Sequence, residues 1–471
     1  MHASPIQTNT PLPPKLPLWV MFRLGLFQMG LGIMSILTLG VLNRILIDRA
    51  FLAIPATIAG GVLAMYQFVS PVRVWFGQRS DAKSLLGYHR SGYIWLGATL
   101  FTLCSFVAVQ VIWQLSGSLA LHGWTTVSYA WVGLLALMFA LYGICVSASS
   151  TPFAALLVDV SDEDNRSQLV GIVWAMLMVG IVLGAVSSGI LLKGLTPETL
   201  QSSINRLFMV VPACVWGLAL VATVGIENRY SRYRFRSAIA GREDQIGLRT
   251  ALKVLTASRQ TGLFFSFLVL MTLGLFLQQP ILEPYAGEVF GMTVSQSTQL
   301  NAYWGIGTLV GITATGFFVV PRWGKQATAR FGCWAVASCF LGVIAAGFTH
   351  SPVVLQMAML VLGLGFGLMT NSSVSLMLDL TAAETAGTFI GAWGVAQALS
   401  QASATVLGGL LLDVGRALFQ AQPVLAYGLV FAVEALCMVA AVTLLNRVNV
   451  AEFRDRTQTA IATVLTHELD A

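Results

Sequence analysis

The chain has 471 residues, of which 56% are hydrophobic and 10% charged, with a formal net charge of +6 and a mean hydropathy of +0.78. A water-soluble chain of this length needs far more charge to cover its surface, so composition excludes the two or three soluble domains that length alone suggests. The basic balance is therefore read by which side of a membrane it occupies, and no nucleic-acid partner is expected.

In chain order, residues 1–18 are polar and Pro-rich, lack the apolar stretch of a signal peptide, and read as a disordered cytoplasmic lead-in. Twelve segments then reach the roughly 20 apolar residues that a membrane helix requires. They are 19–43, 52–76, 92–115, 128–158, 168–192, 205–226, 261–282, 298–320, 328–349, 353–378, 386–412 and 424–446. The fold class expected is an all-α polytopic membrane protein with two six-helix halves, 19–226 and 260–446. Between the halves lies a basic connector, 227–259, which reads as lying on anionic lipid or as a partner's docking site. The tail 447–471 places Phe453, Ala460, Ile461, Val464 and Leu465 at helical spacing, as in an amphipathic surface helix. With a cytoplasmic N-terminus, 21 of the 26 Lys and Arg residues fall on the cytoplasmic side, which puts both termini there.

An internal repeat supports the division. A shift of 220 residues brings Asp159 onto Asp379, Asp164 onto Glu384, Gly171 onto Gly391 and Gly189 onto Gly409 without a gap. The acidic matches carry the argument, because acid is scarce here. Parallel six-helix repeats related by an axis along the membrane normal are the architecture of the major facilitator superfamily. The loop after the second helix, Gly77 to Arg90, resembles that superfamily's signature of a glycine turn, an acid and following basic residues. Asp81, Lys83, Arg90, Asp159 and Asp379 are candidates for a latch between the halves, set against a solvated charge run and simple helix caps.

Several stretches resemble one group within that superfamily, the PucC/LhaA-like or bacteriochlorophyll delivery family. They are LNRILI (42–47), SPVRVWFGQRSD (70–81), GYHRSGYIWLG (87–97), ILEPYAGEVFG (281–291) and AGTFIGAWGVAQALS (386–400). The resemblance spans roughly 19–446 and implies assembly of light-harvesting or photosystem complexes in a thylakoid or photosynthetic inner membrane. It implies a chlorophyll or bacteriochlorophyll ligand and antenna or photosystem subunits as partners. A secondary transporter of a small organic solute is the alternative reading.

Polar groups within membrane helices are the candidate site. Glu283 sits between Pro280 and Pro284, with Gln278 and Gln279 just before it. The prolines remove backbone donors and break the helix, and oxygen ligands suit a chlorophyll magnesium. A helix cap or an interhelical hydrogen bond is the competing reading. Gln28, Gln397 and Gln401 are candidates for lining the space between the halves, with interhelical bonding as the alternative. Trp393, with Trp95, Trp174 and Trp304, lies within a helix, where a flat ligand or ordinary packing is served. None of the five histidines falls at mid-membrane. Glu434 is the main charge expected deep in a helix, and the interface between the halves is expected to lack an ion-coupling charge. Arg44 and Asp48, four residues apart, are expected to pair. The six cysteines read as small buried apolar residues. No catalytic or metal motif has its required context, and no enzyme is expected.

Overall fold

The computed structural model describes residues 16–49, 51–161, 163–193, 198–231, 259–379, 386–420 and 422–449. They form twelve helical traverses once interrupted helices are joined. The first six are α1 (Leu18–Ile47), α2 (Ala56–Phe68, resuming as Val72–Ala82), α3 (Ser91–His122), α4 (Thr126–Val160), α5 (Glu163–Leu191) and α6 (Leu200–Thr223). The second six are α7 (Arg259–Phe276, resuming as Leu282–Phe290), α8 (Val294–Ala314), α9 (Lys325–Thr349), α10 (Pro352–Asp379), α11 (Ala386–Leu418) and α12 (Pro423–Asn446). Among the described residues, nine of the helices are long and apolar enough to cross a membrane, and two shorter apolar ones lie in α2 and α7. The remaining traverse, α8, opens on a polar run through Ser295, Gln296, Ser297, Thr298, Gln299 and Asn301.

The packing repeats with a step of six helices. α1 packs on α5 and α6 as α7 packs on α11 and α12; α3 packs on α4 and α6 as α9 packs on α10 and α12; α2 packs on α4 as α8 packs on α10. The lobes meet along α2–α11 and α5–α8, which the same operation exchanges. The sequence repeat falls on this interface. Gly409 of α11 lies against the Ala56 backbone, and Gly189 of α5 lies against α8, where Ser295 Oγ donates to its carbonyl. A Cβ at Gly60 would stand 2.6 Å from the Thr405 carbonyl oxygen, so α2 and α11 approach to backbone contact, which in lipid supplies packing that the hydrophobic effect does not.

Three sequence expectations are refined here. The second helix breaks at Ser70–Pro71 and α7 breaks at 277–281, in each case beside a proline that offers no backbone donor. The cysteines are free, but only Cys145 and Cys333 are fully buried, and Cys214 faces outward. Leu121, Leu137 and Leu436 are likewise exposed on the outer face, as suits a surface solvated by lipid chains. The connector from 232 to 258 and the tail beyond 449 lie outside the described residues.

Candidate functional site

The break in α7 builds the site. Between Phe276 and Leu282 the chain runs through turns, which frees backbone groups in a region without water. Two of the freed groups are met from other helices. Glu434 of α12 accepts the Gln278 N–H at its Oε1, 2.6 Å away. Asn43 Nδ2 of α1, in the other lobe, donates to the Pro280 carbonyl. Glu283 follows in the first turn of the resumed helix, only 3% exposed. Its carboxylate accepts hydrogen bonds from Thr298 Oγ1 (3.1 Å) and Asn301 Nδ2 (2.8 Å) of α8.

Helix α1 reaches this carboxylate through a π-helical stretch, Ile36–Val41. Gly40 there leaves no room for a side chain, because a Cβ would collide with Glu283 Oε1. Such π segments often mark functional positions in α-helices. Between the lobes lies a cavity of about 200 Å³, lined by Ser35, Leu39 and Gly40 of α1, by Gln278, Gln279 and Glu283, by Asn301 and Trp304 of α8, and by apolar side chains including Ile181, Met359 and Phe366. Trp304 packs on Phe366 edge to face, with centroids 4.9 Å apart.

Beyond Glu283 the lobes are tied by charge. Arg44, 4% exposed, pairs with Asp48 at 3.2 Å, as its spacing predicts. It also crosses the interface, donating to the Thr293 carbonyl (2.7 Å), the Met292 carbonyl and Ser297 Oγ. Asp413 of α11 accepts from the Ala56 N–H (3.0 Å), the Thr57 N–H (2.8 Å) and Thr57 Oγ1 (2.6 Å), capping α2 across the lobes. Within the second lobe Arg416 pairs with Glu288 at 2.5 Å and donates to Tyr427 Oη at 3.1 Å. The interface does carry ionisable groups. Glu283, Arg44 and Asp413 all lie on it, at helix ends and breaks, Arg44 and Asp413 held by freed backbone groups and Glu283 by the Thr298 and Asn301 side chains.

Of the sequence candidates, the structure brings Glu283, Gln278 and Gln279 to one cavity. Gln401 Oε1 accepts from Gln67 Nε2 (2.8 Å) and bonds α11 to α2, the interhelical role. Gln28 and Gln397 are half-buried and do not line the cavity. The side chain of Trp393 lies outside the described residues, as do those of Asp81 and Asp379. Arg90 Nε meets Asp159 Oδ2 at 2.8 Å, both buried. Because α3 and α4 belong to the same lobe, this pair locks one lobe internally, which corrects its expected place between lobes. Lys83 is exposed at the end of the same loop. Trp174 faces outward at 58% exposure, and Trp95 donates to Thr223 Oγ1 at 2.8 Å. The contributions of Gly40, Asn43 and Asp413 were not found from sequence; only Asn43 carried a signal, lying in the LNRILI stretch. Among the described residues no cluster of three His, Cys, Asp or Glu side chains forms a metal site.

Comparison with known proteins gives a consistent picture. The PUCC protein family matches residues 41–453. Protein PucC of Rhodobacter capsulatus is 29% identical over 437 residues, covering 91% of this chain and 92% of the relative. The bacteriochlorophyll synthase 44.5 kDa chain of the same species is 29% identical over 457 residues, covering 94% and 98%. Among solved structures, the nucleoside transporter NupG superposes with a TM-score of 0.66 at 12% identity, covering 91% of this chain and 99% of that one. A bacterial homologue of the iron transporter ferroportin, in its inward-facing state, gives 0.65 at 14%, covering 92% and 99%. At such identities these two show the fold alone, the major facilitator fold expected from the repeat.

Proposed function

The chain belongs to the PUCC protein family, and from that membership we propose that it is a membrane assembly factor that binds or delivers a chlorophyll-type pigment to light-harvesting apoproteins. The observation that carries the reading is the interlobe cavity, in which Glu283, Gln278 and Gln279 stand together among apolar and aromatic walls. Oxygen donors of this kind suit a magnesium centre, and the walls suit a flat apolar ring. The carboxamide of Gln278 or Gln279, or the Glu283 carboxylate, would hold the pigment's magnesium, which would supply a Lewis-acidic centre there. The residues' part is to bind and orient. The α7 break sets the glutamines, and Asn301 and Thr298 hold the carboxylate.

At about 200 Å³ the cavity is smaller than the roughly 300–1,000 Å³ of pockets that enclose a whole ligand. Entry of a whole macrocycle therefore requires the lobes to part, and the interface bonds of Arg44, Asp413 and Asn43 are the ones that must exchange. The end of the bundle bearing Arg79, Lys83 and Arg90 is read as cytoplasmic by the positive-inside rule, in the photosynthetic inner membrane of an organism resembling the purple bacteria of the relatives. Movement of a small solute by alternating access shares this fold, but fold does not fix function.

The test is genetic. A strain lacking the chain is expected to lose antenna absorption while still making pigment, and the wild-type chain, but not Glu283→Gln, is expected to restore it. Normal antenna assembly in the deletion strain would remove the proposal.

A further inference from the structure

At the end of the first lobe read as cytoplasmic, the resumed part of α2 (Val72–Ala82) packs on α4. Gly77 marks the packed side, because a Cβ there would meet Thr151 Cγ2 at 3.5 Å. Trp75 and Arg79 stand two residues to either side of Gly77, and so on the opposite face of the helix. Lys83 continues that face at the next i, i+4 step, and all three side chains are exposed, the indole by 50%. The Arg79 guanidinium lies over the Trp75 ring, 5.2 Å from its centroid. Backbone groups hold this stripe in place. Tyr93 Oη of α3 donates to the Lys83 carbonyl (3.0 Å) and the Arg79 carbonyl (3.3 Å). The side-chain charges are left over, and among the described residues neither Arg79 nor Lys83 is paired with an acid.

The second lobe supplies a contrast. Arg322 and Trp323 are exposed at its corresponding end, but Arg322 Nη1 donates to the Phe318 carbonyl at 2.9 Å, and nearby Arg330 Nη1 donates to Asn446 Oδ1 at 3.2 Å. Those guanidiniums are engaged within the protein. The order along α2 also matches a leaflet. From Trp75 to Lys83 the helix rises about 12 Å, from an indole of the kind that sits at the membrane interface to a cation at phosphate level. Two cations without acidic partners, beside an exposed aromatic face, complement a ligand with an anionic head and an apolar body.

We propose that this stripe binds one acidic glycerophospholipid of the cytoplasmic leaflet, its phosphate between Arg79 and Lys83 and its apolar body along Trp75. The site is separate from the interlobe cavity and does not depend on the pigment reading.

The experiment places the purified full chain in nanodiscs and titrates in phosphatidylglycerol or phosphatidylcholine carrying brominated chains. Bromine quenches nearby tryptophan, and the quenching component absent from Trp75→Phe is the signal. The wild-type chain is expected to prefer phosphatidylglycerol by about thirtyfold, as two interfacial cations supply. Arg79→Gln and Lys83→Gln, which spare the carbonyls that Tyr93 holds, are each expected to lower the preference about fivefold. Arg322→Gln is expected to leave it unchanged. Equal quenching by the two lipids in the wild-type chain, a comparison that needs no variant to fold, overturns the site. A loss in Arg322→Gln as large as in Arg79→Gln overturns it too, because diffuse surface charge then accounts for the preference. Displacement of the lipid by inorganic phosphate or by a polyglutamate peptide would assign the cations to a soluble anion and overturn the lipid site.

Discussion

Glu434 Oε1 accepts the backbone N–H of Gln278 at 2.6 Å, joining a buried carboxyl of α12 to a cavity-lining residue in the α7 break. The helix break leaves that donor without an intrahelical acceptor, and in lipid nothing else meets it. The acid expected as the main charge deep in a helix is therefore a structural cap. Glu434→Gln keeps an oxygen acceptor and is expected to melt near the wild type in detergent. Glu434→Leu strands the donor and is expected to lose about 1–3 kcal/mol. Equal melting of the two variants would deny the cap.

Gly40 offers a second test with an internal control. Gly40→Ala drives a methyl group into the Glu283 carboxylate and is expected to push the lobes apart, lowering the melting temperature and pigment retention. Gly61, one turn into α2, has nothing within 4 Å of its added Cβ. Gly61→Ala is expected to be neutral or to stabilise by up to about 1 kcal/mol through helix propensity. Similar losses in both variants would show that the Gly40 contact is not special.

The Arg90–Asp159 pair predicts strong coupling within the first lobe. Both side chains are under a tenth exposed and 2.8 Å apart. Removing either alone breaks this buried ion pair and is expected to cost about 3–5 kcal/mol. Replacing both is expected to cost clearly less than the two single losses added. Additive losses in a double-mutant cycle would refute the pairing.

Asp413 caps α2 from the opposite lobe, so its loss is expected to act between lobes. Asp413→Ala removes three accepted hydrogen bonds and is expected to cost about 1–2 kcal/mol. A cysteine pair placed across α2 and α11 is expected to crosslink less efficiently in that variant. Unchanged crosslinking would show that the cap does not hold the interface.

The residues explain which parts of this account were legible beforehand. Local signals carried well: the Arg44–Asp48 spacing gave an ion pair, the prolines around Glu283 gave a break, and the match of Gly189 to Gly409 gave equivalent interface positions. Contacts set by the docking of the lobes left no local trace. Asn43 meets Pro280 across 237 positions of chain, and Asp413 meets Ala56 across 357. Nothing in the periodicity near Gly40 says that a carboxylate will lie against it. The Arg90–Asp159 pairing was readable and both residues already fell within 19–226, but the repeat of Asp159 onto Asp379 pointed to a latch between the lobes.

The most direct measurement is the absorption spectrum of the full chain purified from its native membrane. The account predicts a magnesium-tetrapyrrole band in near-stoichiometric amount, diminished in Glu283→Gln and in Gln278→Leu. A colourless wild-type preparation that remains folded, or a band equally strong in both variants, would contradict it.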